Sequence, residues 1–111
     1  MNSLVTLIAV APPVAQYAAL AASTETLRKE LDDWAEGVLA EATAAVPQDV
    51  IAHTVQRQGD PGPQIVEELR RGDYDLVVLG SRGRGRTREG LIGSVNGYVH
   101  FHAKVPLLSV P

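Results

Sequence analysis

The segment best equipped for chemistry is Gly80-Ser81-Arg82-Gly83-Arg84-Gly85-Arg86-Thr87-Arg88-Glu89-Gly90-Leu91-Ile92-Gly93-Ser94. Six of the chain's ten glycines fall between Gly80 and Gly97. Glycines let a backbone approach a ligand closely and turn its N–H groups inward. Ser94 is predicted to cap the helix that follows, whose first N–H groups and dipole attract an anion. Its hydroxyl can also donate to an anionic oxygen. Half of the ten basic side chains (Arg82, Arg84, Arg86, Arg88 and Lys104) lie beyond Gly80 with one acid, Glu89, while the whole chain carries −3. This is a local anion site on an acidic protein, and phosphate is the chemistry it suits. Two common phosphate motifs are excluded. Gly85-x4-Gly90 is followed by Leu91-Ile92 in place of Lys-Ser/Thr, and Gly83-x-Gly85 is followed by Arg88 where G-x-G-x-x-G needs glycine.

Other candidates carry less. The alternating arginines could bind RNA, but no aromatic residue between Gly80 and Gly97 is there to stack on bases, so nucleic acid is disfavoured. His100 and His102 fall about 200° apart on a helix, which keeps them from chelating one ion. His102 is expected to meet the last carbonyls of its helix. Asp73 and Asp75 precede an apolar strand at its amino end and read as turn residues. No Ser-His-Asp spacing is present, and the chain has no cysteine. No catalytic residue and no metal ligand is therefore assigned.

These residues need a scaffold. A chain of 111 residues with 45% hydrophobic and 21% charged side chains makes one globular domain, assigned to residues 1–111. Leu4 to Val10 is a continuous apolar run stopped by Pro12-Pro13, which predicts a strand buried on both faces. With no basic n-region and a break at the prolines, it is neither a signal peptide nor a membrane span, and a cytoplasmic protein is expected. Ser23 or Thr24 caps a helix with apolar positions Leu27, Leu31, Trp34, Val38, Ala42 and Ala45, closed by Pro47; Trp34 is expected in the core. Strands follow at Val50–Val55, Leu76–Leu79 and Val105–Val110. A helix opens at Pro61 or Pro63 and ends near Gly72. A last helix starts at Ser94, with Val95, Val99 and Ala103 on one face. Alternating strands and helices predict an α/β fold, an open parallel sheet with helices on both faces.

The spacing Gly80-x2-Gly83-x9-Gly93-Ser94 resembles the nucleotide-binding signature of the universal stress protein family, Gly-x2-Gly-x9-Gly-Ser/Thr. The flanks agree: Asp73 to Gly83 before it, and Val95, His102-Ala103, Val105-Pro106 and Leu107 to Val110 after it. Gly59-Asp60-Pro61 is similar to the family's turn before its third helix, and Leu4 to Pro13 to its second strand. The resemblance implies a Rossmann-like fold with strand order 3-2-1-4-5, here without the usual first strand, its terminal Asp and the first helix. That leaves a gap between the family's second and fourth strands: they pair directly, a partner chain fills it, or part of the native chain lies outside this sequence. It further implies a stress-response module that binds ATP through Gly80, Gly83, Gly93, Ser94 and Val95, with an adenine contact at Val10. Any ATP hydrolysis is slow and incidental, and a homodimer forms through Val105–Val110. The alternative is a nucleotide-free dimeric interaction scaffold.

Overall fold

The computed structural model describes residues 3–11, 24–80 and 89–110. Their order is β1 (Ser3–Ala11), α1 (Thr24–Ala45), β2 (Val50–Gln58), α2 (Pro61–Arg71), β3 (Val77–Gly80), α3 (Glu89–His102) and β4 (Leu107–Val110). The fold is α/β, and every strand pairing is parallel. Among the described residues, β1 pairs with β2 and β3 with β4, giving two two-stranded sheets. The chain divides into two compact units, Met1–Asp60 and Pro61–Pro111.

In the first unit, β1 and β2 run in register from Ser3↔Val50 to Ala11↔Gln58. Gly59 ends the ribbon at φ 137°, a conformation that favours glycine, and its N–H donates to the Ala11 carbonyl at 2.9 Å. β2 therefore continues three residues past Val55, through polar Gln56, Arg57 and Gln58. Apolar content understates its length because hydrogen bonding to β1 holds those residues. β1 is less buried than its composition predicts. Ala9 and Ala11 are buried and Leu4 is 66% exposed, because α1 packs on the face that carries Leu7, Ala9 and Ala11, and Leu4 belongs to the other face.

Helix α1 begins and ends where the sequence places it, but its buried line differs from the predicted stripe. Ala35 and Leu39 pack with Ala9, and Leu7 lies against them. Trp34 is 48% exposed, so its expected core position is corrected. The inner line is turned by one residue, about 100°. Small Ala35 permits close approach to the ribbon, and two strands cover only part of a wide apolar stripe. Leu27, Leu31, Val38 and Ala42 form its half-buried shoulder.

The second unit is held by α2 against α3. Pro61 occupies the first position of α2, where its missing N–H costs nothing, and the Gly72 N–H closes the helix on the Glu68 carbonyl at 3.0 Å. Gly62, Ile65 and Val66 are buried on α2, and Val99 is fully buried on α3. Between α2 and β3 the Tyr74 hydroxyl donates to Glu68 Oε2 at 2.8 Å, while Asp73 and Asp75 are exposed. β3 and β4 pair from Val77↔Leu107 to Gly80↔Val110. β4 starts at Leu107, two residues later than expected; the Pro106 carbonyl still accepts from the Val77 N–H at 3.0 Å. Proline fits the start of a strand because it cannot donate to the ladder.

Candidate functional site

Gly80 is the last residue of β3 and is exposed. It stands at the carboxyl end of a parallel ribbon, where α/β proteins collect ligands. Gly83 and the arginines at 82, 84, 86 and 88 lie outside the described residues. Gly93, Ser94 and Val95 all belong to α3. Val10 is near the carboxyl end of β1 in the first unit, half-buried and in register with Arg57. Gly80, Gly93, Ser94 and Val95 belong to the second unit.

The start of α3 corrects one expectation. The helix opens at Glu89, so Ser94 is its sixth residue and caps nothing. Only the first four N–H groups of a helix are left without an internal partner. The Ser94 N–H is therefore committed within the helix, and any contact it makes to an anion runs through its exposed hydroxyl. Apolar Leu91 and Ile92 extend the helical pattern backwards from Val95 and Val99. A serine before a valine was a misleading start signal because Gly90 and Gly93 lowered the apparent helicity of the preceding turn.

The histidines lie in the last turn of α3. The His102 ring meets Tyr98 at 4.1 Å between centroids and the edge of Phe101 at 5.0 Å. The described residues contain no group of three or more His, Asp or Glu side chains arranged to hold a metal ion. No helix among them is long and apolar enough to cross a membrane.

Comparison with known proteins agrees with the glycine spacing. The family model of the universal stress protein family matches residues 1–111. Universal stress protein Slr1101 of Synechocystis is 36% identical over 67 residues, covering 60% of this chain and 62% of that protein. The universal stress protein A-like protein of Arabidopsis thaliana is 35% identical over 54 residues, covering 49% and 31%. Stress response protein NhaX of Bacillus subtilis is 30% identical over 80 residues, covering 71% and 48%. The chain thus spans about a third to three fifths of the length of these relatives. No solved structure matches. With the family model covering the chain from end to end, the protein belongs to the universal stress protein family.

Proposed function

We propose that the chain is a nucleotide-responsive stress-response module, folded as one domain over residues 1–111, cytoplasmic and without dedicated catalysis. ATP or a related nucleotide is its ligand. Gly80, Gly83, Gly93, Ser94 and Val95 hold the phosphates and ribose, and Val10 makes the adenine contact. The observation that carries this reading is the position of Gly80 at the carboxyl end of β3, with Gly93-Ser94 following at the signature spacing in α3. Glycine at 93 is costly inside a helix, by about 1 kcal/mol relative to alanine, and close approach of a phosphate gives that cost a purpose.

This yields a test in which folding and binding move in opposite directions. In isothermal titration, ATP binds saturably to the native chain. Gly93→Ala raises the unfolding midpoint, because alanine favours the helix, yet weakens ATP by about tenfold or more, equivalent to ~1.4 kcal/mol. No heat of binding at millimolar ATP on a folded chain overturns the nucleotide reading.

The nucleotide-free scaffold is favoured by a different observation. Leu108 is 51% and Val110 37% exposed on β4, and an exposed apolar strand invites a second copy. We place the homodimer contact at Val105–Val110. Light scattering is expected to return the mass of two chains for the native protein and of one for Leu108→Lys. A monomer in both sinks the dimer.

A further inference from the structure

The buried line of α1 is Ala35 and Leu39, and toward the start of the helix the same spacing meets exposed charges. Spaced like Ala35 and Leu39, and continuing their line toward the start of the helix, are Asp32 and Arg28. They border a cavity of about 230 Å³ at the carboxyl end of the β1–β2 ribbon. Ala11 and Ala35 supply small apolar walls, and Gln56 and Gln58 line it from β2. The strand register explains the glutamines. Ala9 packs on α1, so Ala11 faces the same way, and Gln56 and Gln58 stand opposite Ala9 and Ala11. Val10, of the other parity, points to the opposite face of the ribbon, so this cavity is separate from the proposed adenine contact.

A neighbouring pair of charges on α1 is arranged differently. Lys29 and Asp33, one position round the helix, close an i,i+4 ion pair at 3.4 Å in full solvent. Arg28 and Asp32 have the same spacing and the same order of charges, and form no ion pair among the described residues. Both side chains are exposed and border the same cavity as Gln56 and Gln58.

We propose that this cavity is a binding site for a small zwitterion of the α-amino acid class. The Arg28 guanidinium takes the carboxylate, Asp32 takes the ammonium, and the Gln56 and Gln58 amides supply both donors and acceptors. A simple anion meets Asp32 unfavourably and a simple cation meets Arg28 unfavourably, whereas one molecule carrying both charges satisfies the pair. The volume lies below the roughly 300–1,000 Å³ of sites for drug-sized ligands, which suits a molecule of amino-acid size.

Two-dimensional ¹H–¹⁵N spectra of the full chain, titrated with L-serine and L-glutamine at millimolar concentration, test the assignment. Saturating shifts are expected at the amides of Ala11, Ala35, Gln56 and Gln58. Acetate and methylamine, with one charge each, are expected to give no saturating shift. Arg28→Gln and Asp32→Asn, both on the exposed start of the helix, each weaken binding about tenfold or more. The double change Lys29→Gln with Asp33→Asn leaves it unaltered. Absence of saturable shifts with either amino acid overturns the site. So do acetate shifts equal to those of serine, retained affinity in Arg28→Gln, or an equal loss in the Lys29/Asp33 variant. None of these readouts depends on ATP.

Discussion

Replacing Gly62 with valine is expected to destabilise the protein by about 3 kcal/mol, the upper part of the usual range for overpacking. A Cβ at residue 62 meets Tyr98 Cδ1 at 2.9 Å, Cγ at 3.0 Å and Cβ at 3.1 Å. Two of those atoms lie at the root of the side chain, so rotating the ring cannot relieve the contact. The backbones of α2 and α3 must separate instead, which strips contacts from buried Ile65, Val66 and Val99. Gly72 offers a contrast. Its closest neighbours are Tyr74 Cε2 and Cζ, at the far end of a ring that can swing away, losing chiefly the hydrogen bond to Glu68. Urea unfolding reads the Gly62 effect as a lower midpoint. Adding Tyr98→Ala to Gly62→Val removes the obstacle and is expected to recover part of the loss. A Gly62→Val midpoint equal to the native one refutes the close-packing account.

Why was the order of elements legible while some details were not? Punctuation carried the elements. Pro61 and Gly72 bracket α2, Pro47 follows α1, and apolar β-branched runs mark the strands. Burial was harder to read. The α1 stripe was phased on its largest side chains, Leu27, Leu31 and Trp34, but the ribbon selects for close approach and takes the line of Ala35. Arg28 and Asp32 are exposed, as the stripe predicts, and the cavity they border follows from the strand register, which a helix pattern does not show. The α3 start was missed for a related reason. A local cap signal at Ser94 outweighed a glycine-diluted first turn that forms regardless. Membership of the family was legible as the spacing of its glycines. Spacing says nothing of how the chain between Gly80 and Glu89 is shaped.

Leu39→Ala is expected to cost about 3 kcal/mol as well, by the removal of a buried leucine from the α1–β1 contact. Against a total stability of roughly 5–15 kcal/mol for a typical domain, that is a large fraction. Its neighbours Ala9 and Ala35 are too small to fill the space left behind, so the full cavity term applies. The larger question is which transition the substitution moves. Leu39 and Gly62 belong to different compact units, each about half of the chain. A unit of that size with a two-stranded sheet buries too little apolar surface for robust independent stability. If residues 1–111 form one domain, Leu39→Ala and Gly62→Val both lower the midpoint of a single shared urea transition and leave its slope unchanged. Monitored by Trp34 fluorescence and by far-ultraviolet circular dichroism, the two variants then give coincident curves from both probes. If Trp34 responds to Leu39→Ala but not to Gly62→Val, the units unfold separately. The single-domain reading then falls.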